Sequence, residues 1–252
     1  MTHKILATLW RYSPLLLLAA VWEGVTQAHL VSQYALPTLS GVLTSMWTLA
    51  IDPDGLVYHT SRSIMRGAAG LGAAVVLGTT AGVLMAWYRP VRLLLKPFIQ
   101  MFYPLPKSAL IPLTIMWIGL GDPSKITLIF IGSLLPIVVS SFNATRGVDS
   151  VLIWSARGMG ATDRELLWEV VVPAALPEIM NGYRVALALC FILVVAGELI
   201  IANNGIGFLI NFLGEGGDYK GMFAGVITIS LVGFLADRGY IMLMRRILIW
   251  RE

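Results

Sequence analysis

The chain has 252 residues, 57% of them hydrophobic and only 13% charged, with a mean hydropathy of +0.79. Soluble domains carry about 25% charged residues, so this balance excludes an ordinary water-soluble domain and leaves lipid as the solvent of most of the chain. The net charge of +4 comes from Lys and Arg set singly between apolar stretches, which excludes the contiguous basic face of a nucleic-acid binder, and a single cysteine excludes a disulfide framework.

A spanning helix needs about 20 mostly apolar residues. Six stretches qualify in chain order: 14–30, 67–87, 98–120, 126–142, 185–202 and 222–244. The first follows Lys4 and Arg11 as a signal peptide would. No small-x-small cleavage site comes after it, and Trp22–Glu23 breaks the pattern, so it reads as an uncleaved span. Residues 37–51 are too short and too polar to span, and their apolar spacing fits a helix lying at the membrane surface. The DPDG run at 52–55 marks a turn. Gly78 and Gly82 form a small-xxx-small pair that permits close helix packing.

The third stretch holds Pro104, Pro106 and Pro112, which must disrupt its backbone hydrogen bonds. Lys107 stands among them, beside Ser108. Such a charge either lines a cavity, as a cation on the path of an anion, or snorkels to the cytoplasmic end of the span. The fifth stretch carries Glu198 near its outer end, readable as a gate or as a carboxylate bonded to a neighbouring helix or the following loop. Asn203–Asn204–Gly205 then reads as a turn with positive φ at Gly205. Asp237–Arg238 interrupts the sixth stretch. Cys190 is read as a small core residue. His3, His29 and His59 have no carboxylate or cysteine at ligand spacing, so no metal site is expected. No catalytic constellation appears. No G-x-x-x-x-G-K-[ST] loop occurs either, so any ATP hydrolysis belongs to another chain.

Between the fourth and fifth stretches lies the charged segment 154–173, WSARGMGATDRELLWEVVVP. Its charges exclude it from hydrocarbon, where each central Arg or Asp costs about 2.5–3.5 kcal/mol. Leu166, Leu167, Val170 and Val171 nevertheless form one apolar stripe of an amphipathic helix. Gly160 suits the left-handed residue after a helix end, and Thr162 with Glu165 spells a capping box. The segment predicts a helix–Gly turn–helix hairpin in water, offering its apolar stripe to a partner. With the N-terminus inside, 13 of the 18 Lys and Arg residues fall on the cytoplasmic side. Arg62, Arg66, Lys125 and Lys220 fall outside. That bias places both termini and the hairpin in the cytoplasm.

The hairpin resembles the cytoplasmic loop of ATP-binding-cassette (ABC) importer permeases, which reads E-A-A, three residues, G, nine residues, I-x-L-P. Trp154, Ser155 and Ala156 take the E-A-A positions, Gly160 the glycine, and Val170, Val172 and Pro173 the tail; Trp154 and Ser155 depart from the pattern. Residues 96–125, with their proline-rich start and W-x-G-x-G end, resemble the nitrate/sulfonate/taurine branch, as do PAALPEIMNGYRVALAL and GELIIANNGIGFLI farther on. The resemblance covers roughly residues 56–248. It implies an all-α polytopic membrane protein with the small ABC importer permease fold and six transmembrane helices. Residues 1–55 would hold the first span and the surface helix. Residues 56–252 would form the core five-helix domain, with its coupling hairpin at 144–173.

The resemblance also implies a bacterial inner-membrane transport subunit importing a small anion of the sulfonate/taurine, nitrate or bicarbonate type. A thiamine-precursor-type solute is the alternative within the same machinery, and a secondary transporter or membrane scaffold the alternative outside it. The secondary transporter predicts inverted repeats, and none is found. Two ABC ATPase subunits would carry ATP and Mg, leaving this chain without a cofactor. Their docking site would be Ser155, Ala156, Arg157, Gly158, Met159, Gly160, Ala161, Thr162, Glu165 and Pro173. Lys107, Ser108 and Glu198 would lie on the translocation path. A second copy of the chain and a periplasmic or lipid-anchored substrate-binding protein complete the partners, with membrane lipid around them and no nucleic acid.

Overall fold

The computed structural model describes residues 2–200 and 202–251. Met1, Ile201 and Glu252 lie outside the described residues, as do the side chains of Lys4, Arg11 and Arg251, three of the basic residues assigned to the inner side. The described residues form helices and no strands: α1 Thr2–Gln27, α2 Leu39–Ile51, α3 Leu56–Trp87, α4 Arg89–Phe102, α5 Leu110–Ile118, α6 Asp122–Arg146, α7 Ser150–Gly158, α8 Asp163–Ile200, α9 Ile206–Glu215 and α10 Tyr219–Ile247. Among them α3, α6, α8 and α10 are long and apolar enough to cross a membrane.

The helix expected at 37–51 is α2. Its first turn is closed twice: the Thr38 hydroxyl accepts from Gly41 N, and Glu23 of α1 accepts from Leu39 N at 2.7 Å and from the Ser40 hydroxyl at 2.7 Å. A carboxylate at that position meets the free amides and the positive end of the helix, so Glu23 joins α1 to α2.

The expected third span is not one helix. α4 ends at Phe102, a 3-10 turn begins at Lys107, and α5 follows. Pro104 and Pro106 supply no N–H to bridge the gap, which is the disruption their positions predict. The sixth span, by contrast, runs unbroken through Asp237–Arg238. Arg184 of α8 meets Asp237 in a forked pair, Nε at 2.6 Å and Nη2 at 2.9 Å, so the charge is matched where it arises.

α3, α6 and α8 form the centre of the bundle. α3 meets α6 on its glycine face: a Cβ built on Gly78 would lie 2.8 Å from Ile137 Cγ2, and one on Gly82 would lie 2.6 Å from Ser141 Cβ. These are the close approaches the small-xxx-small pair permits. Leu15 to Leu18, Leu93, Leu94, Phe234 and Leu235 are exposed and form the apolar exterior that lipid covers.

Candidate functional site

The hairpin is built as its sequence requires. At the end of α7, Ala161 N donates to Ala156 O at 3.1 Å and Gly160 N donates to Arg157 O at 3.0 Å, with Gly160 at φ +91°. This pair of bonds is the Schellman closure, and it needs a left-handed residue at the position Gly160 fills. Two residues on, Thr162 caps the next helix: its hydroxyl accepts from Glu165 N, and Glu165 accepts from Thr162 N at 2.8 Å. The Thr162 side chain and backbone bonds hold the Glu165 carboxyl below its ordinary value. Arg157 and Asp163 pair across the turn at 3.1 Å.

The second helix differs from expectation in two ways. It does not stop before the fifth span; α8 continues through a wide π turn at Leu166–Val171 to Ile200. Pro173 explains the widening, because its ring would strike the carbonyl four residues back in an ordinary turn. Nor is the apolar stripe left for a partner. Leu166, Leu167 and Val171 are buried against Val83, Ala144, Ala156, Ala175 and Ile179 of the same chain. Ala156 therefore points inward, while Ser155, Arg157, Gly158, Met159, Gly160, Thr162, Glu165 and Pro173 are exposed and Ala161 is half-buried. The apolar surface that does face outward is Val151, Leu152, Trp154, Met159 and Trp168, with Met159 at 83% exposure. The hairpin is thus anchored by one face and presents another.

Lys107 and Ser108 sit in the break between α4 and α5. Ser108 is exposed. Lys107 is half-buried, donates from Nζ to the Tyr103 carbonyl, and lies over the Tyr103 ring at 5.3 Å. Among the described residues it is the one charged residue lining a cavity of about 550 Å³ otherwise walled by side chains such as Leu77, Phe98, Phe102, Phe130 and Leu134.

Glu198 is not with Lys107. It is 1% exposed in a polar network tying α3, α6, α8 and α9 together. Its oxygens accept from Arg66, from the Ser63 hydroxyl at 2.7 Å and from Gly207 N at 3.0 Å. Arg66, 3% exposed, also donates from Nε to Asp122 at 2.8 Å and from Nη1 to Asn204 O at 2.9 Å, and Arg62 pairs with Asp122. His59 Nδ1 accepts from Gly205 N at 3.0 Å. Gly205, at φ +112°, adopts the turn expected of it, and a Cβ there would strike the Glu198 carboxylate. The bonded reading of Glu198 describes this geometry; an open gate residue would keep free oxygens. The sequence reading left Arg62, Arg66 and Lys125 as outer charges and missed the network. The available signal was that Arg66 and Asp122 face each other only if the starts of the second and fourth spans are adjacent. Among the described residues no three His, Cys, Asp or Glu side chains gather as a metal site.

The family described as "binding-protein-dependent transport system inner membrane component" matches residues 74–249. The chain is 35% identical to the taurine transport system permease protein TauC of Escherichia coli (strain K12), over 94% of this chain and 87% of that one. It is 33% identical to the putative aliphatic sulfonates transport permease protein SsuC of Bacillus subtilis (strain 168), over 92% and 84%. A solved structure of the MetNI methionine ABC transporter in inward-facing conformations superposes with a TM-score of 0.65 at 21% identity, covering 80% of this chain and 96% of that one. That likeness concerns the fold.

Proposed function

The chain belongs to the binding-protein-dependent transport system inner membrane component family, and from that premise we propose that it imports a small sulfonate, taurine foremost, recognised through its anionic sulfonate group. It is a multi-pass inner-membrane permease subunit of an ABC importer, it works with an ATPase and a substrate-binding protein, and ATP is hydrolysed on the separate ATPase subunit. In this reading two copies of the chain line one path, two ATPase subunits carry ATP and Mg, and both termini are cytoplasmic. Residues 1–55 are an accessory span and surface helix on the 56–252 core. The single observation that carries the substrate is the 35% identity to a taurine permease along nearly the whole chain.

The hairpin supplies the coupling. An ATPase cleft that closes on Trp154, Met159 and the Gly160 turn moves α7 and α8 together, because Leu166, Leu167 and Val171 lock the hairpin to the bundle. α8 carries that displacement without a break to its outer end at Ile200, a rigid-body rocking of packed helices. Lys107 and Ser108, in the gap of the third span, lie on the path, where an ammonium in an apolar wall draws an anion and releases it. The test is ATP-dependent uptake in proteoliposomes holding this chain, its ATPase and its binding protein. Taurine or methanesulfonate accumulation is expected. Uptake of a pyrimidine in their place overturns the sulfonate assignment and favours the thiamine-precursor alternative.

A further inference from the structure

We infer that the outer ends of α3, α6 and α8 enclose a second anion station, a site for one sulfonate or carboxylate group held by Lys125. Lys125 is 8% exposed, yet its ammonium makes one hydrogen bond, to Gly121 O at 3.1 Å, and no ion pair among the described residues. An ammonium has three donors, and a buried charge is costly unless paired. Neither neighbouring carboxylate is bonded to it. Asp122 is taken by Arg62 and Arg66, and Glu198 by Arg66, Ser63 and Gly207 N. Counting these five groups, three cations face two carboxylates, and one positive charge is left over. That excess lies in the buried part, since Arg66 and Lys125 are buried whereas Arg62 and Asp122 are about one-third exposed.

Beside Lys125 lies a cavity of about 110 Å³, lined also by Arg66, Asp122, Gly121, Ala202, Asn203 and Asn204, with the Asp122 carboxylate already held by Arg62 and Arg66. It has room for a three-oxygen headgroup but not for a bulky solute. Its chemistry selects an anion. Lys125 lines it with donors unused, Arg66 adds positive potential, and the start of α6 contributes the positive end of a helix. An anion seated there would complete the ammonium's bonds and cancel the leftover charge. The position is on the outer side of the bundle, opposite the hairpin, so the site would receive the solute before Lys107 does. This step rests on the small-anion reading of the solute.

The experiment is titration calorimetry of the purified permease–ATPase complex with sodium methanesulfonate, and separately with sodium chloride, in a buffer whose anion is too large for the cavity. Wild type is expected to bind methanesulfonate. Lys125→Met should weaken binding at least about tenfold, the scale of a lost charged hydrogen bond, with Lys125→Arg retaining part of it. Ala202→Leu, which fills the cavity and keeps every charge, should also abolish binding. Absence of wild-type binding, equal binding by Lys125→Met and wild type, or binding of chloride with none of methanesulfonate overturns the proposal. Failure of wild-type taurine uptake would instead count against the sulfonate reading, because binding and uptake are read separately.

Discussion

Arg66 and Glu198, separated by 132 positions in sequence, form an ion pair in which the side chains are 3% and 0% exposed. Neither charge has water to fall back on, and each is completed by further bonds, Arg66 to Asp122 and Asn204 and Glu198 to Ser63 and Gly207. The pair fastens the start of α3 to the end of α8. Removing one partner leaves the other buried and uncompensated, which costs about 3–5 kcal/mol. Glu198→Ala is therefore expected to lower the thermal unfolding midpoint of the purified permease strongly, and Glu198→Gln less so. A midpoint unchanged in Glu198→Ala would mean that the pair does not hold these two helices together.

The hairpin separates anchoring from presentation. A Cβ built at Gly160 meets nothing within 4 Å, so a side chain there has room within the chain and is opposed by the left-handed backbone alone. Gly160→Leu, Trp154→Ala and Met159→Asp should reduce recovery of the ATPase on a tagged permease about tenfold while the permease remains folded. Leu167→Ala should instead destabilise the permease by about 2–5 kcal/mol, as loss of a buried leucine does. Full ATPase recovery in all three surface variants would remove the docking assignment.

The capping box carries a pH dependence. Thr162 holds the Glu165 carboxyl below its ordinary value, so the ionised form favours the folded hairpin. That stability is present above the ordinary carboxylate range and is lost as pH falls through the lowered value. ATPase retention should therefore be flat from neutral to mildly acidic pH and fall only at stronger acidity. In Thr162→Val the fall should begin at higher pH, and identical profiles for the two proteins would show that the box does not control docking.

Much of this architecture could be read from sequence because it is local. The Gly160 turn and the Thr162–Glu165 box depend on a handful of consecutive residues, and both form as read. The fate of the stripe Leu166–Leu167–Val171 was not legible in the same way. A partner and the chain's own core present the same apolar pattern, and only the packing of Val83 and Ala144 against it decides between them. The polar network around Glu198 joins residues as far apart as 59 and 207, where no short spacing signals that they meet. Asp237 was read as a break in the last span because its partner Arg184 sits on another helix.

Orientation has a direct check. Cys190 is buried, so single cysteines added elsewhere report cleanly. Cysteines at Asp54 and Gly216 should react with an impermeant thiol reagent in intact cells, and one at Asp163 only after the membrane is opened. Labelling of Asp163→Cys in intact cells would invert the assignment of sides.

Above all, this chain is expected to move a small sulfonate when a separate ATPase grips its hairpin. The most direct test is radiolabelled taurine uptake into proteoliposomes loaded with the complete complex and ATP, comparing wild type with Lys107→Ala, Lys107→Arg and Trp154→Ala. The account predicts ATP-dependent uptake by wild type, severe loss in Lys107→Ala with the ATPase still bound, partial recovery in Lys107→Arg, and loss in Trp154→Ala together with the ATPase. Wild-type rates in Lys107→Ala, or accumulation without ATP driven by an ion gradient, would contradict it.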